Sequence, residues 1–383
     1  MKNLGATLQQ RKKDGLYRSR RISDSPQGVD AIIDGKAVIN FCSNDYLGLA
    51  NHPQIKQALI QGAEKYGTGS GSAHLVNGHS RAHHQLEEEL AEFMGYPRAL
   101  LFSTGYMANL GIAQALCGRG DKIFEDRLNH ASMLDAALLS GARLQRYAHN
   151  NFADLNTKLQ TAGNTEKLIM SDGVFSMDGD LAPLPQLSDI AQQYDSWLML
   201  DDAHGIGVLG KKGRGCIEHF NCSHKDVPIV MGTLGKAFGT SGAFVAGSDE
   251  LIETLIQFSR SYIYTTASSP AMAEATRCSL KILQAANEER EYLQQLIRYF
   301  SNSATELGLH LMPSPSAIQP ILIGDTNEAK KISQALFEQG FLVTAIRPPT
   351  VPDGTARLRV TLSAAHKEQH IDKLLNALQP LCK

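Results

Sequence analysis

No stretch of the 383-residue sequence approaches the ~18 continuous apolar residues that a membrane-crossing helix needs. The opening MKNLGATLQQRKKDGLYRSRR is basic and polar without the apolar core of a secretory signal. Charge of one sign is also missing: the formal net charge is -2, with no long acidic or basic run. That argues against nucleic acid or an anionic membrane as partner. The six cysteines are scattered, with no C-x-x-C pair and no Cys/His ligand cluster. Such a pattern points to reduced thiols in a cytoplasmic protein rather than a disulfide frame or zinc site. His79, His83 and His84 resemble a metal tract, but GHSRAHHQLEEELAEFMG reads as an amphipathic helix with Leu86, Leu90 and Phe93 inward, so no metal is expected. A phosphate loop of the form G-x-x-x-x-G-K-[ST] is absent too. The Gly-Lys pairs at Lys36, Lys211 and Lys236 are each followed by the wrong residue.

What is present is an ordinary globular composition, 43% hydrophobic and 20% charged, in a chain long enough for two or three domains. From Arg98 onward, apolar runs alternate with helical segments: RALLF, DKIFED, RLQRYAH, EKLIMSD, SWLMLDD, VPIVMG and GAFVAGS. That alternation predicts an α/β fold with a mostly parallel sheet covered on both faces. After Pro270 a long helical stretch, broken near Ala286-Asn287, leads into shorter strands and helices from Ser316. The expected division is an N-terminal segment 1–50, a large α/β domain 51–268 and a smaller α+β domain 269–383. The N-terminal segment should carry an isolated extended stretch, Ala37 to Cys42.

Two motifs carry the chemistry. SWLMLDDAHG is a buried strand delivering Asp201, Asp202 and His204 at its C-terminal end, where open α/β sheets bind ligands. VMGTLGKAFG is a second apolar run breaking into a Gly-flanked lysine, Lys236. A strand-end aspartate with a lysine beside it is the constellation pyridoxal phosphate (PLP) uses. The lysine forms a Schiff base, and the carboxylate keeps the ring nitrogen protonated as an electron sink. FSTGYMANL supplies a phosphate cradle, a strand running through Ser103-Thr104-Gly105 into a helix start. GTGSGSAHLVNG lacks the preceding strand of a dinucleotide loop and reads as a mobile Gly/Ser loop over a ligand.

Seven blocks in order carry a wider resemblance: FCSNDYLGLANHP, GTGSGSAHLVNGHSRAHHQLEEELA, DRLNHASMLDA, SDGVFSMDGDLAPL, LDDAHGIGVLGKKGRG, GTLGKAFGTSG and IRPPTVPDGTARLRVTLSAAH. Together they resemble the α-oxoamine synthases, over nearly the whole chain. The resemblance implies the PLP-dependent aminotransferase-like fold (fold type I) and a homodimer with shared sites. Lys236 becomes the Schiff-base lysine and Asp201 the ring-nitrogen partner. His130 would stack on the ring, and His204 and Ser176 would bond its phenolic oxygen. Gly105, Tyr106 and Thr233 would hold the phosphate, with Thr266 reaching in from a second subunit. Arg359 and Asn44 would meet the amino-acid carboxylate, while Arg18 and Thr350 would lie near the substrates. The implied reaction condenses L-alanine with a pimeloyl thioester, carried on coenzyme A or acyl carrier protein, with loss of carbon dioxide. Another family member, joining glycine to an acetyl group, is the alternative; a non-catalytic nucleotide-binding α/β protein is the reading from a different class. Two departures from the family pattern stand out. The glycine loop reads Gly69-Ser70-Gly71-Ser72-Ala73, and Asp172 replaces a glutamate found in several relatives.

Overall fold

The computed structural model describes residues 3–382. The chain first forms a hairpin, β1 (Asp30–Ile33) and β2 (Lys36–Asn40), turning through Asp34 and Gly35 at φ 51° and 73°. Two left-handed residues in a row suit the right-handed twist of the flanking strands. The extended stretch near residues 37–42 is therefore not isolated, as the sequence suggested. It pairs antiparallel with β1, and later in parallel with a strand from the far end of the chain. Its only marker in the sequence was a short apolar run, and that marker is silent about distant partners.

The central sheet has seven strands: β3 (Arg98–Phe102), β4 (Lys122–Asp126), β5 (Arg143–Tyr147), β6 (Lys167–Asp172), β7 (Trp197–Asp201), β8 (Ile229–Thr233) and β9 (Ala243–Gly247). Their spatial order is β3-β9-β8-β7-β6-β4-β5. All neighbours are parallel except β9, which runs antiparallel to both β3 and β8. Alternate residues feed two apolar layers. Ile169, Leu198, Leu200 and Val230 join a core that extends to Phe300 and Leu358, whereas Leu168, Met170, Met199 and Met231 pack with Ile112 and Met133 on the other face. Strands buried on both faces need near-continuous apolar sequence, which is why these runs were readable.

Between strands lie the helices Gly105–Leu116, Ala131–Ser140, Phe152–Gln160 and Leu184–Gln193. The helix Arg81–Met94 buries Leu86, Leu90 and Phe93, and Ser80 caps it by accepting the His83 N–H. Beyond the sheet, helices Pro270–Ala285 and Asn287–Glu306 meet at Ala286, the expected break. Strands β10 (Ile318–Gly324), β11 (Phe341–Leu342), β12 (Thr344–Ile346) and β13 (Ala356–Thr361) follow. β13 lies between β10 and β12, antiparallel to both, and β11 is the distant partner of β2.

Candidate active site

The C-terminal ends of β6, β7 and β8 carry the acidic and basic groups. Asp201 ends β7, and its Oδ2 accepts a 2.8 Å hydrogen bond from Asn109 Nδ2. Asn109 also donates to Ser132 Oγ at 2.8 Å, so one buried amide orients the carboxylate against two helices. Asp202 faces away from this group. It accepts the Cys216 N–H at 2.7 Å, and burial pushes its carboxyl up to about 7. Asp202 thus organises the following glycine-rich loop, where a Cβ at Gly215 would come 1.9 Å from its Oδ2. Asp172 pairs in register with Asp201 across β6 and β7, and its Oδ2 accepts the His130 N–H at 2.7 Å. Burial, then the charge of Asp201, holds the Asp172 carboxyl well above the carboxylate range.

Lys236 lies in the loop after β8, with Nζ 2.8 Å from His204 Nε2. Burial lowers the amine to about 8, against the opposing pull of Asp201 and Asp172. His204 Nδ1 lies 2.6 Å from the hydroxyl of Tyr46, a side chain only 1% exposed that the sequence reading passed over. Burial, then the charges of Lys236 and Arg359, keeps His204 well below the ordinary imidazole value and hence neutral. Burial drives the Tyr46 phenol up to about 12, and the Arg359 guanidinium sits beside its oxygen. The Tyr46 hydroxyl donates its proton to Asn44 Oδ1 at 3.3 Å, so at the short contact with His204 it accepts from the Nδ1–H. The neutral imidazole then carries its proton on Nδ1, and its Nε2 lone pair accepts from the Lys236 amine.

His130 is the N-cap of helix Ala131–Ser140, its ring exposed and its Nδ1 2.7 Å from Ser132 Oγ. At the start of helix Gly105–Leu116, the Thr104 side chain takes the Met107 N–H, leaving the Gly105 and Tyr106 amides open among the described residues. A Cβ at Gly105 would come 3.2 Å from Cε of the buried Met231, so the glycine lets the helix start pack closely on the sheet. The Tyr106 hydroxyl donates to Asp135. Thr233 Oγ1 accepts from the Gly235 N–H at 3.3 Å. Thr266 is exposed and bridged to Ala73 of the glycine loop.

Arg359, 7% exposed on β13, donates Nε to the Ser176 carbonyl at 2.7 Å, Nη1 to Thr361 Oγ1 at 2.8 Å and Nη2 to Asn44 Oδ1 at 3.2 Å. Two of its five N–H groups remain for an incoming carboxylate. Arg357 shares its face of the strand, but it is spent on Asp178 at 2.6 Å. Of the two arginines, only Arg359 therefore keeps N–H groups for a carboxylate. Asn44 also takes a 3.3 Å bond from Tyr46 Oη, joining the arginine to the Tyr46–His204–Lys236 chain. Arg18 and Thr350 are both exposed, and the Arg347 backbone carbonyl accepts the Thr350 N–H at 3.1 Å.

These residues suit a phosphorylated aldehyde with a basic ring nitrogen: helix-start amides for the phosphate, a desolvated amine for the aldehyde and a buried carboxylate for the nitrogen. The fold and this cluster agree with a family match spanning residues 36–378, and the chain belongs to the class I and II aminotransferase family. Within it, the resemblance to the α-oxoamine synthases is borne out by close relatives. The 8-amino-7-oxononanoate synthase of Thioalkalivibrio sulfidiphilus is 61% identical over 99% of this chain and 97% of its own length. That of Pseudomonas putida is 59% identical, covering 98% and 96%. Among solved structures, serine palmitoyltransferase from S. paucimobilis, with PLP and myriocin bound, superposes with a TM-score of 0.93 at 31% identity, covering 99% of this chain and 96% of that one. The 8-amino-7-oxononanoate synthase of Francisella tularensis gives 0.79 at 37% identity, covering 90% and 97%.

Proposed function

We propose that this protein is a pyridoxal-phosphate-dependent acyltransferase of biotin biosynthesis. It would condense L-alanine with a pimeloyl thioester to give 8-amino-7-oxononanoate, carbon dioxide and the free thiol carrier. The observation that carries the reading is the juxtaposition of a desolvated Lys236, with its amine at about 8, and an Arg359 that keeps free N–H groups. The bound cofactor would supply the electron sink that lets the alanine α-carbon carry negative charge. Gly105, Tyr106 and Thr233 would hold its phosphate, Asp201 its ring nitrogen, His130 its face, and Ser176 with His204 its phenolic oxygen. Thr266 would add a phosphate contact from a second subunit.

The remaining work belongs to side chains. Arg359 and Asn44 would fix the alanine carboxylate and so present the α-hydrogen toward Lys236. The neutral Lys236 Nζ would remove that proton and return one at the end of the sequence. Asp201, oriented by Asn109, would pair with the ring nitrogen, while Asp172 would hold the His130 loop through its backbone N–H. Arg18 and Thr350 would lie toward the acyl donor. The test is a coupled assay with the purified enzyme: alanine plus pimeloyl thioester on both carriers, beside glycine plus acetyl-CoA. Turnover of the glycine pair at a higher kcat/KM than the alanine pair would overturn the substrate assignment.

A further inference from the structure

Between the glycine-rich loop and the helix Arg81–Met94 the chain carries four histidines, and the geometry separates their uses. His83 is fully employed. Its Nδ1 accepts the Ser80 N–H at 3.1 Å, and its Nε2–H donates to the Ser268 carbonyl at 2.9 Å. His74 stacks on Tyr262 at 5.1 Å between ring centroids, and its Nδ1 lies 3.0 Å from His79 Nδ1. That contact orients the His79 ring and leaves its Nε2 pointing elsewhere. Nε2 stands 3.8 Å from Glu87 Oε2, too far for a hydrogen bond. His84, half exposed, completes the group: ligand atoms of His79, His84 and Glu87 all lie within 4.8 Å of one another.

We propose that His79, His84 and Glu87 bind a divalent metal ion of the zinc class. A zinc ion holds nitrogen and oxygen ligands at about 2 Å, so it spans ligand pairs up to about 4 Å apart, which the His79–Glu87 gap meets. Two imidazoles with one carboxylate suit zinc rather than magnesium or calcium. Both inner ligands are braced from behind, as metal ligands commonly are. His79 is held by His74 Nδ1, and Glu87 Oε1 accepts the Leu101 N–H at 3.0 Å. A cavity of about 180 Å³ opens beside the three residues and gives a path from solvent. Arg98 borders that cavity, but its Nη1 is paired with Glu253 at 2.5 Å, while Glu88 adds negative charge on the same rim.

Occupancy would tie the segment before the helix to the helix itself. That segment is continuous with Ser72 and Ala73, which pair with Ala267 and Thr266. The ion would therefore brace the strip carrying Thr266 and take no part in the chemistry. The experiment is titration of the cofactor-loaded enzyme, stripped of metal with a chelator, with Co2+ alone. A saturable visible d–d absorption at one ion per chain is expected, displaced by Zn2+. His84→Gln lies on an exposed helix face, so its fold should survive, as far-UV circular dichroism would verify. His84→Gln and His79→Gln should each weaken Co2+ binding roughly a hundredfold. Absence of a saturable band in the parent protein, or an unchanged affinity in both variants, would overturn the site.

Discussion

Lys236 can act as nucleophile and base only while its amine is neutral, and burial brings that state closer to physiological pH by lowering the amine to about 8. Capture of pyridoxal phosphate by the cofactor-free protein should accelerate as pH rises, reach half its maximal rate near pH 8, and level off above it. Stopped-flow absorbance gives the profile; a midpoint near the ordinary lysine value of about 10.4 would mean an amine still in water. Arg359→Ala should weaken alanine binding by on the order of 2–5 kcal/mol, because the carboxylate loses a charge-assisted partner in a desolvated site. Cofactor affinity should be unchanged, and an equilibrium titration with an unaltered alanine dissociation constant would move the carboxylate site elsewhere. Asp201 and Lys236 were legible in the sequence because each follows an apolar strand run that says where it ends. Tyr46 and Asn109 were not. Their hydrogen bonds reach partners 158 and 92 positions away, and no local pattern encodes such a pairing. The partner that occupies Arg357 is equally hidden, since Asp178 is 179 positions distant.

At the scale of elements, the proposed roles of His130 and Ser176 require the loop after β4 and the loop after β6 to keep a fixed relation. His149, just past β5, lies between them. Its Nδ1 is 3.0 Å from Asp126 Oδ1 at the end of β4, and its Nε2 is 2.8 Å from Asp180 Oδ2. Burial works against its charge, but the hydrogen bonds and charges of both aspartates prevail and raise the imidazole to about 10. The folded value lies above the unfolded one of about 6.5, so the clasp contributes fully below that pH and is lost as pH rises through about 10. Thermal melts should therefore show parent and His149→Gln converging between neutral pH and pH 10; a constant gap across that range would refute a charged clasp. Strand order is the part of the fold that periodicity left open. The seven apolar runs were each visible, but the antiparallel insertion of β9 between β3 and β8 depends on which edge a strand joins.

For the whole molecule, Leu75, Val76 and Tyr264 are 52%, 78% and 72% exposed, on the two segments that meet at Ala73 and Thr266. Large apolar side chains on paired segments would be covered by a second copy of the chain. The expected state is a homodimer in which Thr266 serves the neighbour's phosphate. Mixing Lys236→Ala with Thr266→Ala under conditions that exchange subunits should give hybrid dimers whose one intact site exceeds the activity of either parent. A fully active monomer in sedimentation velocity at assay concentration would contradict this assembly.

The hydrogen bond from Arg359 to Asn44 joins residues 315 positions apart, and β11 meets β2 across a similar span. During synthesis at about 5–20 residues per second, the interval between the two partners is on the order of tens of seconds. All seven strands of the central sheet, with Lys236, leave the ribosome well before Arg359 exists. A nascent chain could thus gain the means to hold its cofactor before it can hold an amino acid. Closure of the long loop between Asn44 and Arg359 is then a late, slow event in maturation, and chains stalled before β13 would lack the guanidinium proposed to take the alanine carboxylate.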